Sequence, residues 1–300
     1  MQMNKGLFVV IVLAIILIIS FSIANIIGAN YSSEDKIVIV PINGVIVPMQ
    51  GDYSLFGEEK TVSSDFVKKL DDLEGDNSVK AIIFEINSPG GTVVASKEIS
   101  DRIKKLKKPK IALIREYGAS GAYWIASASD YIIADELSVT GSIGVIGSYL
   151  EFSDLFKKYG IGYERLVAGD YKDAGSNYRK LTKNEKDLLQ KKLDIIHNRF
   201  KQDVAMNRNI SADAIDGIAN GIFYIGSEAY GLGLVDQLGN KDDAIIKAKE
   251  MAGIKDAKII EAKEKKSIVD VLSKLSNTAF YYAGKGIGSA FVKNGFSIQA

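Results

Sequence analysis

The chain contains no cysteine and one histidine, His197, in 300 residues. The first absence removes disulfides, thiolate metal sites and a cysteine nucleophile, though it does not fix a compartment. The second leaves a Ser-His-Asp triad a single candidate base. His197 lies beside Ile196 inside a segment with helical apolar spacing, where a flank or surface histidine is the simpler account. Metal catalysis would have to rest on carboxylates alone, and they show no recognisable ligand spacing; no metal site is expected. Arginine is scarce too, at six of 38 basic residues, and the lysines are interspersed with 37 acidic residues. No basic stripe results, so no nucleic-acid partner is expected. The turn NSPGGT lacks the Gly-Lys-Ser/Thr ending of a P-loop.

What is present begins with LFVVIVLAIILIISFSIANII, residues 7–27, 21 residues without a charge. As a helix rising about 1.5 Å per residue it spans about 31 Å, one hydrocarbon core. A cleaved signal peptide is the alternative, since Lys5 precedes the run and Ala24 and Ala29 follow. The run is longer than a usual signal h-region and no compact A-x-A site closes it, which favours an uncleaved transmembrane anchor over 7–28. Lys5 before it, and Glu34 and Asp35 after it, favour residues 1–6 in the cytoplasm and the remainder outside, joined by a linker over 29–36.

From residue 37 to about 252 the pattern alternates. KIVIVPINGVIV (36–47) holds two β-rich runs broken by Asn43-Gly44, and KAIIFEI (80–86) is a strand ending in NSPGG. Helical spacing marks 64–73 and 93–106, the latter with Val94, Ile99, Ile103 and Leu106, and Pro109 stops it before the strand IALI (111–114). Strand, glycine turn, helix and strand in this order predict an α/β fold of βα crossover units on a central sheet. DYIIAD (130–135) continues the strands, 152–160 reads as a short helix closed by Gly160, and YERLV begins as a strand before AGDYKDAG becomes a loop. Thr182 to Glu185 form a capping box opening a long amphipathic helix with Leu189, Leu193, Ile196, Phe200 and Val204 on one face. Residues 253–300 form an extension with mixed apolar and small residues, suited to subunit packing or to lying on a membrane surface.

Ser120 in GASGAYW stands where an apolar strand gives way to a helix, a position that suits a helix cap and a nucleophile equally. Without histidine or cysteine, a neutral lysine remains as an activator. Lowering a lysine from about 10.4 to near neutrality requires about 4 kcal/mol of destabilisation of the ammonium, which burial can supply if no carboxylate restores the charge. Among 32 lysines, Lys172 differs in sitting in a loop bracketed by Gly169 and Gly175. In an extended segment its neighbours Tyr171 and Asp173 point the other way, so Asp173 need not neutralise it. Spacing alone does not select it. The pair Gly90-Gly91 and Gly121 can supply two backbone amides to an oxyanion. A tight turn at 88–91 and an ordinary serine cap at 120 explain the same residues.

Five ordered segments, INSPGG (86–91), ASGAYWIA (119–126), TGSIGVIG (140–147), GDYKDAGS (169–176) and SEAYGLGLVDQLG (227–239), together resemble the signal peptide peptidase A family. The resemblance covers about Lys36 to Gly239 and implies a crotonase/Clp-protease-like fold of repeated ββα units. It also implies a membrane-anchored serine peptidase with a Ser-Lys dyad. By this resemblance Ser120 is the nucleophile, Lys172 the general base, Ser142 the hydroxyl that holds the lysine amine, and Gly90 and Gly121 the oxyanion donors. It further implies remnant signal peptides or similar apolar peptides as substrates, no cofactor, and a homo-oligomeric ring, because one copy of the domain is present, with the dyad completed between subunits. Arg115-Glu116-Tyr117 depart from the family pattern beside the nucleophile. Competing assignments are a related anchored Ser-Lys peptidase trimming one membrane protein, of the stomatin-cleaving type, a crotonase-like acyl-thioester enzyme, and a silent membrane scaffold.

Overall fold

A computed structural model describes residues 13–20, 34–49 and 59–262. Residues 13–20 are helical, and the remainder of the expected anchor lies outside the described residues, as does the extension from 263 onward. Among the described residues no helix is long and apolar enough to cross a membrane. In chain order the elements are β1 (Lys36–Asn43), β2 (Val45–Val47), β3 (Lys60–Val62), α1 (Ser63–Gly75), β4 (Val79–Ser88), α2 (Val93–Lys104), β5 (Lys110–Ala119), α3 (Gly121–Ser127), β6 (Tyr131–Ala134), β7 (Val139–Gly141), α4 (Ser153–Lys158), α5 (Lys183–Arg208), α6 (Ala212–Ile218), β8 (Phe223–Ile225), α7 (Gly226–Gly231), β9 (Gln237–Leu238), α8 (Lys241–Ala252) and β10 (Lys258–Glu261).

The mixed α/β fold is organised by a parallel sheet in the order β10-β1-β4-β5-β6-β9. Its central strands read as near-continuous apolar runs because helices cover both faces. On one face Ile39, Ile83, Ile111, Leu113 and Ile133 pack against Ala244 and Ala248 of α8. On the other, Phe66 of α1 meets Phe84 at 6.1 Å between ring centroids. The second halves of the strands diverge. β5 pairs with β6 through Ile111–Ile114 and then with β7 through Tyr117–Ala119. Short extended pieces follow several main strands: β2 after β1, and Gly91, bridged to Ile46, after β4. β10 extends the sheet past residue 252, where the domain was expected to end, and its register on β1 runs from Lys36↔Lys258 to Ile39↔Glu261.

Helix α3 is buried along its whole length. Trp124 stacks on Phe200 of α5 at 4.5 Å and 11°, and its indole N–H donates to Asp203 at 3.2 Å. The capping box forms: the Thr182 hydroxyl accepts from the Glu185 amide, and the Glu185 carboxylate accepts from the Thr182 amide at 2.8 Å. Three local expectations change. Residues 161–167 form no strand, and Leu166 is 97% exposed, since β-rich composition needs a neighbouring strand to pair with and none lies there among the described residues. Val94 is 74% exposed, and the buried stripe of α2 runs through Ala95, Ile99 and Ile103 instead. The apolar face of α5 is buried at Phe200 and Val204, but Leu189 is still 36% exposed.

Candidate active site

Ser120 occupies the turn between β5 and α3 with φ 54° and ψ −125°. This backbone conformation is costly for a residue with a Cβ, on the order of 1–3 kcal/mol, and persists only where the surroundings impose it. Here both sides are held: the Ser120 amide donates to Gly141 O at 2.9 Å, and Ser120 O accepts from Trp124 N at 3.0 Å. The side chain does not cap α3, and Oγ has no hydrogen-bond partner among the described residues. The hydroxyl is half-buried and free. A helix start has thus been built around a serine whose side chain takes no part in it.

The glycine turn lies against that serine. Gly90 has φ +107°, and a Cβ there would stand 2.8 Å from Gly121 N, 2.9 Å from Ala119 O and 3.0 Å from Ser120 Cβ. The Gly90 amide donates to Ser88 Oγ at 3.1 Å, and that hydroxyl donates to Gly44 O at 2.6 Å. The amides of Gly91 and Gly121 have no hydrogen-bond partner among the described residues. Gly91 N is 3.3 Å from where a Gly121 Cβ would be, so the two free donors are neighbours. Glycine is required at 121 because the buried Ser96 hydroxyl stands 2.2 Å from that Cβ position. Ser96 Oγ is itself without a partner among the described residues.

Ser142 is drawn in by sheet register. Ala119 pairs with Gly141, so Ser120 and Ser142 follow side by side at the ends of β5 and β7. Ser142 also has positive φ, at 48°. Its amide donates to Ile222 O at 2.9 Å and its hydroxyl to Gly221 O at 3.2 Å. Tyr224 on β8 stacks under Gly141, where a Cβ would lie 2.8 Å from the ring. His197 is directed at the same loop and not at the serine: Nε2 lies 3.2 Å from Ile143 O.

Lys172 is not brought to Ser120 by a contact within the chain. Its side chain is exposed and makes no hydrogen bond or ion pair among the described residues. The loop is also not extended, as the sequence suggested. It is a chain of tight turns, with Lys172 N bonded to Gly169 O, Ala174 N to Tyr171 O and Ser176 N to Asp173 O. Asp173 is kept from the lysine by other means: Arg165 and Arg179 each grip its carboxylate through two N–H groups, all at 2.8 Å. These hydrogen bonds hold the Asp173 carboxyl well below the usual carboxylate range. Arg115 and Glu116 line a polar hollow with Asn43, Glu85 and Asn87, and Arg115 pairs with Glu85 at 3.3 Å.

A free hydroxyl on a strained strand-to-helix turn, with two free amides beside it, is an arrangement that can support acyl transfer. The profile of peptidase family S49 matches residues 102–255, and the Clp protease profile matches residues 55–132. A Methanocaldococcus jannaschii protein named as a protease is 37% identical over 244 residues, covering 80% of this chain and 75% of its own length. The chain belongs to peptidase family S49. An Enterococcus faecium protein named as a signal peptide peptidase, SppA, is 37% identical over 73% of this chain and 64% of its own. Protease 4 of Haemophilus influenzae is 33% identical over 74% of this chain, which spans only 36% of that relative's length.

This S49 chain is accordingly a serine peptidase. Its sequence pointed to Ser120, Gly90 and Gly121 as a group; the three lie together, but the Gly90 amide is taken by Ser88 Oγ and the unpaired amide of that turn is Gly91's. The free amide of Gly91, the orphaned hydroxyl of Ser96 and the double arginine grip on Asp173 carried no local signal. The first two depend on partners far along the chain, Ile46 for Gly91 and Gly121 for Ser96, and the third on turns that fold Arg165, Asp173, Arg179 and Glu185 together.

Proposed function

We propose that the chain is a membrane-anchored endopeptidase in which Ser120 and Lys172 form a Ser-Lys dyad acting on cleaved signal peptides or similar apolar peptides. The observation that carries the reading is the Ser120 hydroxyl, held at a strained turn without a hydrogen-bond partner, with unpaired amides in the adjoining turns. Neutral Lys172 takes the proton of Ser120 as Oγ attacks the peptide carbonyl. The resulting oxyanion is faced by the Gly121 amide and by the Gly90–Gly91 turn, and Lys172 then protonates the leaving amine. Ser142, next to Ser120 across the strand ends, holds the lysine amine. No cofactor is required.

The lysine comes from a neighbouring copy in a homo-oligomeric ring. The exposed, solvent-facing Lys172 supports this, as do the apolar side chains left uncovered in the segment before its loop, among them Ile146, Leu150, Leu155, Tyr159 and Leu166. The apolar run at 7–27 anchors the chain, with its N-terminus in the cytoplasm and the peptidase domain outside. The test is cleavage of an apolar signal-type peptide by the full chain in detergent. Ser120→Ala and Lys172→Ala, each alone, should be inactive, and co-expression of the two should restore part of the activity. Wild-type turnover in either variant would refute the dyad. Inactivity of the mixed assembly would refute its sharing between subunits.

A further inference from the structure

Two of the six arginines converge on one carboxylate, and that carboxylate adjoins the proposed base. Arg165 gives Nε and Nη2 to Asp173, and its Nη2 also bonds Asp170 O at 3.0 Å. Arg179 gives Nε and Nη2 to Asp173 from the other side, then turns Nη1 and Nη2 to Glu185 at 2.9 and 2.5 Å. Glu185 is buried and closes the capping box of α5 with Thr182. α5 in turn carries Phe200 and Asp203, which seat Trp124 of the helix that follows Ser120. One continuous line of fork-to-carboxylate contacts thus ties the turn at Lys172 to the helix that clasps the nucleophile's helix. Bidentate guanidinium–carboxylate pairs fix direction as well as distance.

We propose that Arg165 and Arg179 are positioning residues for Lys172, gripping Asp173 so that the turn presents the lysine and the adjacent carboxylate charge is taken up. The proposal rests on the Ser-Lys reading above and deepens it. A lysine that must work near neutrality cannot tolerate an uncompensated carboxylate as its neighbour in sequence. The four groups Arg165, Arg179, Asp173 and Glu185 sum to zero charge, so the lysine stands next to a closed set. The other groups on its own turn are Tyr171 and Asp170, which offers its backbone oxygen to Arg165 and whose exposed carboxylate lies outside the closed set. Lys180, just beyond Arg179, is paired with Asp154 of α4.

The closed set makes opposite demands on the pH profile. Arg165→Gln leaves the set at −1 and moves the acidic limb of kcat for peptide cleavage to higher pH. Asp173→Asn leaves it at +1 and moves that limb to lower pH. Each shift is a fraction of a pH unit, the scale of one exposed charge acting through a mostly aqueous path. The double variant Arg165→Gln/Asp173→Asn is neutral again, and its limb returns to the wild-type position. All three lower kcat more than they change KM, because what is misplaced is the base. Arg165→Lys keeps the charge and loses the planar fork, so it lowers kcat without moving the limb. The full chain is assayed at low ionic strength, where exposed charges are least screened. Limbs that stay put, or that move in the same direction for Arg165→Gln and Asp173→Asn, overturn the proposal. Lys172→Ala is run alongside. If it retains wild-type turnover, the dyad itself has failed; if it is inactive while the limbs do not separate, only the positioning role has.

Discussion

Gly90→Ala separates a strained backbone from a crowded catalytic centre. At φ +107° a residue with a Cβ pays on the order of 1–3 kcal/mol, which for a domain of this size lowers Tm by roughly 3–10 °C. The contacts add a second, directional effect. Reaching ordinary van der Waals distance from Gly121 N, Ala119 O and Ser120 Cβ requires a separation of about 0.4–0.6 Å between the SPGG turn and the β5–α3 turn. Two of those three atoms are backbone and cannot rotate away. Since about 1 Å of misplacement at a reacting centre costs about 10²-fold, and loss of one oxyanion donor about 10²–10³-fold, kcat should fall by about 10²-fold. Gly253→Ala is the control: φ is +66° at the end of α8 and no atom lies within 4 Å of its Cβ position, so only strain operates. It should lower Tm by about 2–4 °C and leave kcat unchanged. The assay is thermal unfolding by circular dichroism with peptide cleavage measured well below each Tm. If Gly90→Ala kept kcat within about threefold of wild type, the turn would not abut the reacting atoms and the site would lie elsewhere.

Other outcomes follow from packing and charge. Phe200→Ala removes the ring stacked on Trp124 and should cost about 3–5 kcal/mol in urea unfolding, with α3 and therefore Ser120 losing its seat. Asp130→Ala strips the buried Lys110 ammonium of its 2.6 Å partner, leaving only Leu106 O at 3.3 Å. Because Asp130 is partly exposed, a loss of about 1–2 kcal/mol is expected, read as a lower urea midpoint at unchanged slope. Glu185 is held down to about 2 by Arg179 and by the Thr182 amide. Its folded pKa lies below its unfolded one, so its stabilisation is present above the usual carboxylate range and is lost as pH falls from about 4.5 towards 2. An acid titration of wild type against Glu185→Gln should show a shallower loss in the variant over that window. Ser142→Ala should retain partial cleavage and full covalent labelling of Ser120 by a serine-directed acylating or phosphonylating probe. Loss of labelling there would exchange the roles of the two serines.

The sequence by itself determined the main strands of the sheet, most of the helices and the grouping of small residues. A buried parallel strand must be apolar on both faces, as KAIIFEI and IALI are, and a helix start must satisfy its free amides, as Thr182 and Glu185 do. Those are local demands, met by residues a few positions apart. It also narrowed the chemistry, since a chain without cysteine and with one histidine has few ways to activate a serine. What a serine at a helix start does with its hydroxyl was not local. The register of β5 on β7 fixes Ser120 at a φ that its own side chain disfavours, and the packing of Ser96 and Gly90 decides which amides remain free. The strand expected at YERLV failed for the converse reason, because a strand needs a partner that no local pattern can promise. The environment of Lys172 likewise depended on how its loop turns. Two arginines and a helix cap, not the direction of an extended chain, occupy the neighbouring carboxylate, because charge is settled by whatever the fold brings within a few ångströms.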